Sequence, residues 1–195
     1  MKKRGETHFP TSWSRDGRFI LYYTGAGTAN TGADLWLLPL EGDRKPVLLL
    51  GTTFNEGVAA FSPDGRWVAY VSNESGRNEI YVRPFIASAN GGGPALGDGK
   101  WQVSKDSGNR PRWRADGKEI IFNFGGAIMS AEVNSSGLGF QPGAPKRLFT
   151  APANNGYDVT GDGKRFVMIV PPNQGAPANA TPITVVLNWQ ADLRK

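Results

Sequence analysis

Residues 61–73 read FSPDGRWVAYVSN: an aromatic, a Ser-Pro-Asp-Gly turn, then a run of bulky apolar residues alternating with small or polar ones. Asp-Gly between β-prone runs marks a hairpin, because glycine accepts positive φ and aspartate bonds its own backbone. Almost the same phrase recurs at 13–23, 113–123 and 159–169. The pairs Asp16-Gly17, Asp64-Gly65, Asp116-Gly117 and Asp162-Gly163 stand 48, 52 and 46 residues apart. Self-similarity at such a period is the signature of a repeat architecture.

Each pair follows a segment ending near Trp13, Phe61, Trp113 or Val159, and precedes a basic residue and an apolar run: RFILYYT, RWVAYVS, KEIIFNF and KRFVMIV. After a second turn comes another extended run: DLWLLPL, EIYVRPF, AIMSAEV and ITVVLNW. The first three units add a further piece, PVLLL, WQVS and KRLF. These runs are short and rich in β-branched and aromatic residues, so they predict strands, and a sustained 3.6-residue period is missing. Each unit therefore makes a four-stranded antiparallel sheet with two apolar faces, which it cannot bury alone. Stacking the sheets radially buries both, which is the β-propeller solution.

The expected fold is all-β: a β-propeller of four blades of four-stranded antiparallel sheet, at about 8–50, 55–104, 107–150 and 155–189, as one partial domain over 1–195. Blade four stops at ITVVLNW, and MKKRGET is too charged to supply its fourth strand, so the array reads as part of a six- to eight-bladed ring. Either a homodimer or missing N-terminal blades would complete it. The Gly-rich connections at 24–33, 88–99 and 171–182 are surface loops.

Composition agrees. Gly 26 and Pro 14 are spread along the 195 residues, as many tight turns require, and aromatics at 11% argue against disorder. The net charge of +5 comes from scattered Lys and Arg rather than a basic stripe with interleaved aromatics, so nucleic acid is not the expected partner. With no cysteine the redox compartment is unreadable, and the sequons at Asn73, Asn134 and Asn179 carry no weight without a secretory route. No stretch approaches the ~20 apolar residues of a membrane span, so direct insertion is not expected. Gly5-Glu6-Thr7-His8 stands where a signal peptide would carry its apolar run. Read literally the chain is unexported; the alternative is that it belongs to a longer chain carrying the targeting element.

FSPDGRWVAYVSN followed by EIYVRPF resembles the propeller repeat of the TolB type, with Asp64-Gly65 in the turn and Phe61 and Trp67 in the packing positions. All four units match, although Asp116 and Asp162 lack the preceding proline. The run from RPRWRADGKEIIF to PITVVLNWQADLRK is also similar to the C-terminal propeller of bacterial receptor-like serine/threonine kinases. The resemblance implies a periplasmic or extracytoplasmic setting and a protein or peptide partner.

Chemistry is sparse. A Ser-His-Asp triad would need His8, the sole histidine, and no G-x-S-x-G elbow presents a serine. One histidine and no cysteine cannot make a structural zinc site, the Asp-Gly turns lack the carboxylate ladder of a calcium loop, and kinase motifs are missing. A non-enzymatic scaffold without cofactor is the expected function; the alternative is the propeller portion of a prolyl-peptidase-like hydrolase. RPRWR is the one suggestive cluster. An extended strand would project Arg110, Arg112 and Arg114 to one side, where they could hold a carboxylate or phosphate, or pair with acids such as Asp158 and Glu119. The six tryptophans, at repeat-equivalent places, are expected to pack between blades.

Overall fold

The computed structural model describes residues 7–25, 32–88, 93–136, 139–150 and 156–169. Among these there is no helix, and the strands form four antiparallel sheets in chain order. The first holds β1 (His8–Trp13), β2 (Phe19–Thr24), β3 (Leu35–Pro39) and β4 (Val47–Leu50), each paired to the next. The second holds β5 (Glu56–Phe61), β6 (Trp67–Ser72), β7 (Glu79–Ile86), β8 (Ala95–Leu96) and β9 (Trp101–Gln102). The third holds β10 (Asn109–Trp113), β11 (Glu119–Phe124), β12 (Ala127–Asn134), β13 (Gln141–Pro142) and β14 (Lys146–Thr150). The fourth pairs β15 (Tyr157–Val159) with β16 (Phe166–Met168).

These are propeller blades, but the outer position of blades two and three departs from four plain strands. β7 pairs β8 through Phe85 and Ile86 and β9 through Tyr81 and Val82, so two short pieces share one long strand. β12 does the same with β13 and β14. The expected third strand of blade four, ITVVLNW, and Trp189 lie outside the described residues.

Burial explains why the apolar runs do not alternate cleanly with polar residues. Every residue of β6, WVAYVS, is buried, because the second sheet is covered on both faces. On one side Phe61, Val68, Tyr70 and Tyr81 pack on Phe19, Leu21, Leu35 and Leu37 of the first sheet. On the other, Trp67, Ala69, Ile80 and Val82 pack on Ile120, Phe122, Ala131 and Val133 of the third. A smaller core of Ile121, Ile128 and Tyr157 joins the third sheet to the fourth, with Phe149 and Phe166 edge-on at 4.9 Å. Each of the buried Val, Leu, Ile and Phe side chains contributes roughly 1.5–3 kcal/mol relative to exposure.

The innermost strands are also linked by hydrogen bonds. The Phe61 amide donates to Ser12 Oγ (3.2 Å), the Trp113 indole to the Ala60 carbonyl (3.2 Å), and the Tyr157 hydroxyl to the Arg110 carbonyl (2.7 Å). Trp67, Trp101 and Trp113 gather around Phe140 at the junction of sheets two and three, and Trp36 stacks on Tyr22. Trp13 departs from the expectation: it is 64% exposed, and among the described residues no sheet packs on its side of blade one.

Candidate functional site

The four Asp-Gly turns close the same end of successive blades. In blade two the Gly65 amide donates to the Ser62 carbonyl (2.9 Å), with Pro63 and Asp64 between. Gly65 alone of the three turns left-handed, at φ 71°; Gly17, Gly117 and Gly163 match it at 78°, 71° and 74°. The aspartate is a bracket. Asp64 Oδ1 accepts from Ser62 Oγ (2.6 Å) and the Arg66 amide (3.1 Å), while Ser62 Oγ itself accepts from the Trp67 amide (3.0 Å). Ser14, Asp16, Arg18 and Phe19 repeat this arrangement in blade one, and Thr160, Asp162, Lys164 and Arg165 repeat it in blade four.

Blade three replaces the hydroxyl with a guanidinium. Arg114 Nε and Nη2 donate to the two oxygens of Asp116 (2.8 and 2.9 Å), and its Nη1 reaches Glu119 at 2.6 Å. The Arg114 bonds hold the Asp116 carboxyl down at about 2. The hydroxyls of Ser14 and Thr160 likewise hold Asp16 and Asp162 below the usual carboxylate range. Burial pulls Asp64 upward, but the bonds from Ser62 and Arg66 outweigh it and leave its pKa lowered.

The arginines of RPRWR do not line up as a plain strand would place them. The β10–β11 register shifts between Asn109 and Arg112, and Arg110 sits at φ 54° in the resulting bulge. Arg110 therefore leaves the alternation, and its side chain is exposed. Arg112 Nε lies 3.1 Å from Asp158 of the next blade, and Arg114 is committed within its own blade. Blade two carries the matching bulge, with Val58 at φ 43°, six residues before its turn aspartate as Arg110 is before Asp116.

Two adjacent grooves open on this turn face. The larger, about 600 Å³, lies between the turns of blades two and three and is lined by Arg15, Pro63, Arg66, Asp116, Lys118 and Ser135, among others. The smaller, about 480 Å³, lies between the turns of blades one and two, with Phe19, Phe61 and Phe85 on its floor. Arg15, Pro63 and Asp64 border both. The Arg66 guanidinium donates to the Ser135 carbonyl (3.0 Å) and so fixes the wall of the larger groove. The larger groove thus carries the cations Arg15, Arg66 and Lys118 beside Asp64 and Asp116, and the smaller carries the aromatic rings, with Arg15 shared between them.

Chemistry elsewhere is structural in character. His8 packs its ring on Tyr22 at 5.4 Å at the start of β1. Among the described residues no group of three His, Cys, Asp or Glu could hold a metal ion. At the opposite end, Glu79 is fully buried and accepts from Arg77 Nε (2.7 Å) and from the Ser104 hydroxyl. Glu56 is buried beside the Thr52 hydroxyl; burial raises its pKa, and the charges of Asp34 and Glu74 add to the rise. Sequence reasoning passed over these two acids and the turn hydroxyls. The hydroxyls had a visible signal, Ser or Thr two residues before the aspartate in three of the four repeats.

No family model matches the sequence, and no curated protein matches it. Solved structures do. TolB from Acinetobacter baumannii aligns with TM-score 0.55 and 19% identity over 84% of this chain and 37% of that one. A protein assigned as TolB from Agrobacterium tumefaciens gives 0.56 and 16% over 75% of this chain and 50% of that one. A protein assigned as a 6-phosphogluconolactonase from Bacteroides uniformis ATCC 8492 gives 0.50 and 15% over 84% and 48%. The chain spans between 37% and 50% of the lengths of these proteins. At such identities the likeness is one of fold: the chain is built as the β-propeller it shares with TolB structures.

Proposed function

We propose that the chain is a non-catalytic propeller scaffold that holds a protein or peptide partner on its Asp-Gly turn face. The observation that carries this reading is the pair of adjoining grooves, the larger bearing Arg15, Arg66 and Lys118 and the smaller lined by Phe19, Phe61 and Phe85, between turns whose backbones are locked by side-chain brackets. A preorganised concave surface loses little entropy when it binds, whereas a reaction would need a nucleophile with its base. The groove carboxylates Asp64 and Asp116 are already spent on turn hydrogen bonds. The setting this scaffold fits is the bacterial envelope, as a TolB-like protein or as the sensing tail of a receptor-like kinase.

The test is site-specific photo-cross-linking in the organism that encodes the chain, with a benzophenone amino acid at Lys118 on the turn face or at Asn78 on the opposite end. A discrete protein adduct from position 118 and none from 78 is expected. Equal labelling from both ends, or no adduct from 118, refutes the reading.

A further inference from the structure

The larger turn-face groove is bordered by two cations that the repeat leaves over. In each blade a basic residue follows the turn glycine: Arg18, Arg66, Lys118 and Lys164. In blades one and two it serves its own blade or the groove wall. Arg18 Nε reaches Glu41 at 3.3 Å; Arg66 Nε reaches Asp64 at 2.7 Å, and its Nη2 holds the Ser135 carbonyl. Blade three breaks the pattern. Arg114 grips both oxygens of Asp116 and also Glu119, so the acids of that turn are already taken. Lys118 is exposed, acts on Asp116 only through space, and has no ion pair among the described residues.

Arg15 is left over for a different reason. It fills the second position of the turn Ser14-Arg15-Asp16-Gly17, where the other blades carry Pro63, Ala115 and Gly161. Those residues are uncharged, so the turn itself has no need of a cation there. The adjacent Asp16 is bonded by Ser14 Oγ (2.6 Å) and the Arg18 amide (3.1 Å), with Arg18 Nη1 at 3.8 Å. Arg15 is exposed and, like Lys118, has no ion pair among the described residues. Both border the same groove, whose acids, Asp64 and Asp116, are each matched to an arginine of their own turn.

We infer that the segment held on the turn face is an acidic peptide, with one carboxylate set against Arg15, another against Lys118, and an apolar side chain beside Arg15 in the smaller groove. This rests on the peptide-holding reading above and adds the chemistry of what is held. Exposed cations with no partner of their own are satisfied by anionic side chains, which also steer the encounter. Carboxylates fit better than phosphate: Asp64 and Asp116 in the same wall would repel a dianion, and Arg66 already spends its fork on Asp64 and Ser135. Ser135 and Ser136 border the groove too, and their hydroxyls can donate to the same carboxylates. The smaller groove shares Arg15 and offers Pro63 and the half-buried Phe85 to an apolar neighbour of the acids.

Photo-cross-linking in the organism that encodes the chain tests this with the benzophenone amino acid at Ser135, in the groove wall, where both cations stay in place. The adduct should map to a protein segment bearing several Asp or Glu residues. Arg15→Gln with Lys118→Gln should cut the adduct about fivefold or more, as the loss of two exposed ion pairs implies. Arg15→Lys with Lys118→Arg should keep it, and so should Lys105→Gln at the opposite end. Melting temperatures equal to wild type separate lost charge from lost fold. The mapped segment, synthesised with a fluorescein label, should bind the purified chain in an anisotropy titration, and its Gln and Asn counterpart should bind about fivefold or more weakly. An adduct that survives the two Gln substitutions, or a mapped segment without acids, overturns the inference and leaves the turn-face reading standing. An adduct with nucleic acid or lipid in place of protein, or none from Ser135 in the wild-type background, overturns both.

Discussion

Replacing Ser62 by alanine should cost about 2–4 kcal/mol, and the bracket geometry says where that cost arises. Ser62 is 2% exposed; its hydroxyl donates to Asp64 at 2.6 Å and accepts the Trp67 amide at 3.0 Å. A hydrogen bond to a charged group contributes about 1.5–3 kcal/mol, and a buried donor left without a partner costs about 1–3. Asp64 keeps its bonds from Arg66, so the first contribution is only partly lost. Thr160 makes the equivalent bonds to Asp162 and Arg165 at an exposed turn, where water can take over. Thr160→Ala should therefore cost less than about 1 kcal/mol. Urea unfolding followed by tryptophan fluorescence measures both, and a lower midpoint at unchanged slope isolates the stability change. Equal losses at the two sites, or a loss below about 0.5 kcal/mol at Ser62, would show that burial of the bracket does not set its worth.

Other perturbations follow from the same turns and from the acids at the opposite end. Gly65→Val should lose about 1–3 kcal/mol in thermal unfolding; no atom lies within 4 Å of the added Cβ, so the cost is backbone strain at φ 71° alone, and Gly65→Asn should recover much of it. Asp116, held at about 2 in the folded chain, contributes stability that is complete above its ordinary 3.8 and is lost as pH falls toward 2. Asp116→Asn should flatten that limb of a melting-temperature profile, and an unchanged acid limb would contradict the assignment. Glu56 has the opposite sign: its raised pKa means the folded chain favours the neutral form and loses stability as pH rises above the ordinary 4.5. Glu56→Gln should accordingly raise the melting temperature at pH 7 more than at pH 4, and a lower value at pH 7 would show that the ionised form is the stabilising one.

The repeat was legible because each blade spells the same turn, and a turn that needs a left-handed glycine tolerates few alternatives. The strands were legible because β-branched and aromatic residues fill both faces of WVAYV and EIIF. What stayed hidden has physical reasons. A two-residue ladder such as β8 or β13 carries no periodicity to detect. The bulges at Val58 and Arg110 place residues at positive φ that do not favour it, so composition gives no warning, and the expected alignment of Arg110 with Arg112 and Arg114 failed there. Arg114 masked the bracket in blade three by substituting a guanidinium for a hydroxyl. Glu56 and Glu79 drew no reading from the sequence, because acids are seldom buried and nothing around these two marks them as exceptions. Trp13 reads as core from its repeat position, yet the structure leaves it exposed.

A propeller requires blade two to be covered on both faces by its neighbours, and native-state amide hydrogen exchange measures that directly. The amides of β6 and the β6-paired part of β7 should exchange only through global unfolding, with protection matching the full unfolding free energy, while the outer strands β4 and β14 open locally and exchange faster. Exchange from β6 as rapid as from β4 would mean that the sheets do not stack as blades.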